Sequence, residues 1–248
     1  MRPEQTDQLR SPRLRAPKPM IQRASRRLRN QPCAFCNRHP AGSVDHIPPK
    51  CFFPDPLPTD LITVPSCIKH NVNFSTDDLY VRDVIVCRRD VVTQLSLSAV
   101  KAKLLRSLDA PENGKLRAMI GQTLRRGDVR LRSGLYLPDQ FVFFVDKSRL
   151  LRWIERILRG LYYHEHQTMV PADFTVTPIL GEEWPDLVQE WVGWFRSQRL
   201  RKSGEGVFEY KWMRIPDEPE ATIWCLELYR CVPFLGCIFP PSDGGMST

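Results

Sequence analysis

Residues 33–71 read CAFCNRHPAGSVDHIPPKCFFPDPLPTDLITVPSCIKHN, and the organisation of the chain follows from them. The stretch opens on Cys33-x-x-Cys36 and closes on Cys67-x-x-His70. A two-residue gap lets both side chains of a knuckle turn onto one ion, as a tetrahedral zinc site requires, so Cys33, Cys36, Cys67 and His70 are expected to hold structural zinc. With four protein ligands the ion has no open position, and zinc here would be a staple. Between the knuckles stands Asp45-His46, and directly after the second stands Asn71. Closing the loop fixes where these three side chains point.

At these residues the chain resembles the HNH endonuclease family, whose ββα-metal core is often built on a treble-clef zinc knuckle. Cys33, Cys36 and Cys67 fall on zinc positions of that pattern. By the same resemblance Asp45 is the first ligand of a catalytic metal, His46 the general base and Asn71 the second ligand of that metal. The runs Val44–Lys50 and Leu61–Cys67 are similar to one bacterial branch of the family, and Ile157–Glu165 is similar, more weakly, to its C-terminal part. The stronger match covers about fifty residues, roughly a fifth of the chain.

The chain departs from the family pattern at two places. His70 replaces the usual fourth cysteine, and a Cys3His set still binds zinc well. Asp60 falls where the family carries an asparagine expected to orient the general base. A carboxylate there can accept from the imidazole, but its charge favours the protonated ring and weakens the base.

The implied chemistry is phosphodiester hydrolysis. A histidine with a pKa near 6.5 can take the proton of the attacking water at neutral pH. A hard divalent ion, Mg2+ or Mn2+, would sit on oxygens of Asp45 and Asn71 and act as a Lewis acid on the phosphate.

Composition bounds the rest. The chain has 248 residues, 42% of them hydrophobic, which is enough for a real core in one large domain or two small ones. Of a formal net charge of +8, a surplus of +7 lies in residues 1–30, where nine Arg and Lys face Glu4 and Asp7. This arm is expected to be extended or disordered. It suits sequence-independent contact with phosphates, while a solubilising tail is the plain alternative. No apolar run reaches a membrane-spanning length, and no secretory h-region follows Arg2. Three of eight cysteines belong to the knuckles. The remaining five, Cys51, Cys87, Cys225, Cys231 and Cys237, are expected to be free thiols in a reducing cytoplasm.

In chain order, an irregular proline-rich loop follows His46, and Lys50 is placed to touch a phosphate. Ser75-x-x-Asp78 is expected to cap a helix carrying Leu79, Val81, Val84, Ile85 and Val86. Helices are expected near 95–108 and 115–125, the latter ended by Gly127. From 141 a second unit is expected: a strand at 141–145, then a helix over 147–163 capped by Asp146. Three β segments, 207–215, 221–229 and 232–239, would close an antiparallel meander. His164-Glu165-His166 reads as a helix terminus, and Trp184, Trp191, Trp194 and Phe195 as a core stripe.

The fold expected is α+β. It comprises a basic arm (1–30), a zinc-bound treble-clef HNH core (31–90), a helical segment (91–140) and a C-terminal α+β accessory domain with a small antiparallel sheet (141–248). The function expected is a metal-dependent endonuclease acting on DNA, RNA remaining open, with a protein partner or a second copy as further possible partners. The alternative is a catalytically silent zinc module that binds nucleic acid.

Overall fold

A computed structural model describes residues 26–94, 97–111, 114–130, 134–180 and 187–241; most of the basic arm and Trp184 lie outside them. The chain is α+β with small antiparallel sheets.

Strand β1 (Gly42–Ile47) pairs antiparallel with β2 (Ile62–Cys67), with His46 opposite Thr63 and Asp45 opposite Val64. Helix α1 (Ile68–Asn73) follows at once and packs back on both strands. Helix α2 (Ser75–Val86) begins after the break at Phe74 and buries Tyr80, Val81, Val84, Ile85 and Val86. Its first turn differs from expectation. No side chain caps the helix, Ser75 Oγ donates to Val72 O at 2.8 Å, and Asp78 turns inward.

Short α3 (Arg89–Val92), α4 (Ser98–Asp109) and α5 (Gly114–Thr123) come next. The segment 91–140 is not wholly helical. Strand β3 (Leu124–Arg130) pairs with β4 (Tyr136–Phe143) as a two-stranded ribbon. Gly127, expected to terminate a helix, sits inside β3 opposite Gln140. Both faces of the ribbon are largely exposed, so β3 has no alternation of apolar and polar residues to announce it.

The 20-residue helix α6 (Lys147–His166) is the hub. Asp146 caps it, its side chain accepting from Arg149 N at 3.2 Å. Trp153, Ile154, Ile157, Leu158 and Leu161 form its buried stripe. Two glycines allow close approach on either side. A Cβ on Gly160 would lie 2.5 Å from Ile47 Cδ1, and a Cβ on Gly236 would lie 2.3 Å from Leu158 Cδ1. One side of α6 therefore rests on the end of β1, and another on the C-terminal sheet.

That sheet has the order β5-β9-β8-β7-β6, with β5 (Thr175–Ile179), β6 (Arg201–Ser203), β7 (Phe208–Ile215), β8 (Glu218–Leu228) and β9 (Val232–Phe239). The last three strands form the expected meander. Helix α7 (Leu187–Arg196) lays Trp191, Trp194 and Phe195 against Ile223, Cys237 and their neighbours, a core stripe. His164 and His166 lie in the last turn of α6. Glu165 accepts from Tyr210 Oη at 2.6 Å, and the His166 ring meets Tyr162 and Trp212.

The main apolar cluster runs from Ala34 through Phe52, Trp153 and Leu158 to Phe234 and Ile238, with residues on both sides of position 141, and smaller clusters lie at Cys33, Ala41 and Cys67 and at Phe195, Ile223 and Cys237. The Phe52 and Trp153 rings lie 5.1 Å apart, and those of Trp153 and Phe234 5.7 Å apart. Among the described residues no helix is long and apolar enough to cross a membrane. All eight cysteines are free thiols.

Candidate functional site

The first knuckle is a tight turn. Asn37 N donates to Cys33 O at 2.9 Å and Cys33 N to Arg38 O at 2.8 Å, with Asn37 in the left-handed region at φ 57°. Asparagine tolerates that conformation better than most residues. Ala34 N donates to Pro65 O at 2.9 Å, which pins the turn to β2. Cys67 ends β2, and His70 lies on α1, one helical turn into the chain beyond it.

The ligand atoms of Cys33, Cys36, Cys67 and His70 all lie within 4.8 Å of one another. Individual separations are 3.9 Å for Cys36 Sγ to Cys67 Sγ, 3.2 Å for Cys67 Sγ to His70 Nδ1 and 3.7 Å for Cys33 Sγ to His70 Nδ1. A tetrahedral ion with bonds of ~2.3 Å to sulfur and ~2.0–2.1 Å to nitrogen puts sulfurs about 3.8 Å apart and sulfur and nitrogen about 3.6 Å apart. The four residues thus fit zinc, and they can bind it. Among the described residues this is the one such group of cysteine, histidine and acidic ligands.

Its surroundings suit the ion. The amides of Phe35 and Cys67 point at Cys33 Sγ, at 3.5 and 3.3 Å, where they would support a thiolate. Burial, opposed by the amides of Phe35 and Cys67, pushes the Cys33 thiol up to about 11, so an arriving ion must displace its proton. Burial lowers His70, favouring the neutral imidazole that ligates metal. The His70 ring stacks on Phe74 at 5.6 Å and tilts against Phe35 at 5.7 Å, which fixes its orientation.

Beside the cluster lies a cavity of about 480 Å³, lined by Asp45, His46 and Asn71 together with Arg29, Lys50 and Asp78 among others. The fold therefore brings together the three residues singled out between and after the knuckles. Asn71 Nδ2 donates to Ser43 Oγ at 2.8 Å, tying α1 to β1; no described residue bonds its Oδ1. Among the described residues the His46 ring has no hydrogen-bond partner. Burial, with Lys50 adding to it, lowers His46 to about 4, so the imidazole is neutral at neutral pH.

Asp60 does not join them. It precedes β2, and its carboxylate accepts from Glu205 N at 3.1 and 3.2 Å, bracing the turn that leads into β7. The partner expected to orient His46 is accordingly absent from its expected place. Asp60 fastens the C-terminal sheet to the loop before β2 instead, helped by Ser203 Oγ, which donates to Asp60 O at 3.1 Å.

The residue that sequence reading missed is Arg156, on the buried side of α6. Its Nε and Nη2 donate to Asp45 Oδ2 at 3.1 and 2.5 Å, and its Nη1 pairs with Asp78 Oδ1. The guanidinium also lies 4.4 Å above the Phe74 ring, and its side chain is only 2% exposed. Burial pushes Asp78 up to about 7, Arg156 pulling it down and the Asp45 charge adding to the rise. Asp45 Oδ1 accepts from its neighbour His46 N at 2.8 Å. A carboxylate offers about four lone-pair positions, so one position on Oδ1 remains. The Asn71 side-chain oxygen on the same cavity wall is likewise left open by the described residues.

No protein-family model, curated protein or solved structure matches this chain.

Proposed function

We propose that this protein is a metal-dependent endonuclease of HNH type, hydrolysing phosphodiester bonds of DNA with His46 as the general base. The observation that carries the reading is convergence. Asp45 and His46 from β1 and Asn71 from α1 line one cavity, and Asn71 directly follows His70 of a Cys3His group whose spacing fits zinc. Strand, strand and helix in that order, stapled at Cys33 and Cys67, support the treble-clef assignment.

In this reading the scissile phosphate enters between Lys50 and Arg29, exposed cations on the cavity rim. Such contacts place the backbone without reading sequence. His46, a neutral imidazole at neutral pH, accepts a proton from water at a ring nitrogen as the water oxygen attacks phosphorus and the bond to the 3′ oxygen breaks. Asp45 and Asn71 would hold a Mg2+ or Mn2+ ion through one oxygen each. When bound, that ion supplies Lewis-acid stabilisation of the phosphate and the leaving oxygen. Zinc at the four-ligand site holds β1, β2 and α1 in register and takes no part in the chemistry.

One observation favours a second reading. Arg156 already neutralises Asp45, as suits a zinc-containing module that binds nucleic acid without cutting it. Supercoiled plasmid incubated with zinc-loaded protein separates the two. Nicking with Mg2+ or Mn2+ and none in EDTA supports the nuclease. Salt-sensitive binding with no break in any lane moves the assignment to the silent module.

A further inference from the structure

We propose that Arg156 is a positioning residue for Asp45, through which the C-terminal half of the chain sets the affinity of the cavity for its divalent cation. The inference rests on the cation reading of the site given above. Along the buried stripe of α6, Trp153, Ile154, Ile157, Leu158 and Leu161 are apolar, and Arg156 interrupts them. A buried ion pair is no better a stabiliser than apolar residues of the same volume, so packing alone does not account for a guanidinium there.

The geometry accounts for it. Two donors converge on a single oxygen, Asp45 Oδ2, while Oδ1 is left on the side where His46 N donates to it. The third arm is anchored on Asp78, and the Phe74 ring closes the face of the guanidinium. Asp45 can therefore neither rotate nor swap its oxygens, and the oxygen with a free lone pair is always the same one. A planar fork does this and a point charge does not. The same contacts join β1, α2 and α6, whose residues lie 78 and 111 positions apart in sequence.

The test is titration of the purified zinc-loaded protein with Mn2+, followed by electron paramagnetic resonance of the free ion, on Arg156→Lys, Asp78→Asn and Asp45→Asn. Arg156→Lys keeps the charge and loses the fork. It is expected to weaken Mn2+ binding by about tenfold, the usual scale for losing a group that orients a metal ligand, with one zinc retained. Asp78→Asn leaves an acceptor for the Nη1 anchor and is expected to weaken Mn2+ binding less than Arg156→Lys does. Mn2+ binding unchanged in folded, zinc-loaded Arg156→Lys overturns the proposal, as does a larger loss in Asp78→Asn than in Arg156→Lys. Should Arg156→Lys fail to fold, Arg156→Gln takes its place under the same criterion: weakened Mn2+ binding with zinc retained upholds positioning, and unchanged binding overturns it. Mn2+ binding indifferent to Asp45→Asn overturns the cation reading itself, and the proposal with it.

Discussion

Gly160→Ala puts a number on how tightly α6 seats against the candidate site. In a helix interior alanine is favoured over glycine by ~0.8–1.0 kcal/mol, so propensity alone predicts a more stable protein. The packing predicts the reverse. The added Cβ would stand 2.5 Å from Ile47 Cδ1 and 2.7 Å from Cγ1, and Ile47 is fully buried. Overpacking of this kind costs roughly 1–3 kcal/mol. The difference is a net loss of up to about 2 kcal/mol, or a drop of up to about 8 °C in melting temperature for a chain of this size. Urea denaturation followed by circular dichroism measures it. Ile47→Val, which removes Cδ1, completes a double-mutant cycle. Alone it should cost about 0.5–1.5 kcal/mol, and in the Gly160→Ala background less, because it removes the Cδ1 part of the clash while the Cγ1 part stays. A Gly160→Ala protein more stable than wild type by the full ~0.8–1.0 kcal/mol of helix propensity, or strict additivity in the cycle, would refute the close contact of α6 with the residue that follows His46.

Three further outcomes are expected. Cys67→Ser should bring zinc content from one equivalent to near none and lower the melting temperature, read by metal analysis and calorimetry, because β2 and α1 then lose their common anchor. Asp83 is fully buried, and burial outweighs its Arg82 partner to push it up to about 6 from the ordinary carboxylate value of 3.8. The native state thus binds the extra proton, so its stabilising contribution is complete below pH 3.8 and is lost as pH rises to about 6. The fall is on the order of 3 kcal/mol, and the pH dependence of urea midpoints should flatten across that window in Asp83→Asn. Lys50→Ala and Arg29→Ala should each weaken DNA binding across all sequences and reduce the slope of log affinity against log salt by about 1, read by fluorescence anisotropy.

The legible parts of the fold were those with a local signature. Two-residue knuckles announce Cys33, Cys36, Cys67 and His70, and the apolar period of 147–166 and the alternation of 208–239 announce α6 and the meander. Arg156 had no such signal. Its partner Asp45 lies 111 residues away, and an arginine on an amphipathic helix reads as solvated until the fold shows which face is covered. Asp78 likewise read as a capping acid because its spacing from Ser75 allows one, while its actual partner comes from α6. Asp60 falls on a family position through motif resemblance alone. Its role depends instead on β2 starting two residues later and on a turn about 145 residues downstream. The ribbon at 124–143 was illegible because a strand exposed on both faces carries no pattern of burial.

The most direct test of the account replaces His46 by alanine and compares plasmid nicking with wild type in Mg2+ and Mn2+, with zinc content and melting temperature measured on the same preparations. The ring makes no hydrogen bond to a described residue, so the variant should fold, keep one zinc and lose cleavage by roughly 10²–10⁴-fold, the usual worth of a general base. Cleavage at the wild-type rate by a folded, zinc-loaded His46→Ala protein would contradict the assignment of this cavity as the hydrolytic site.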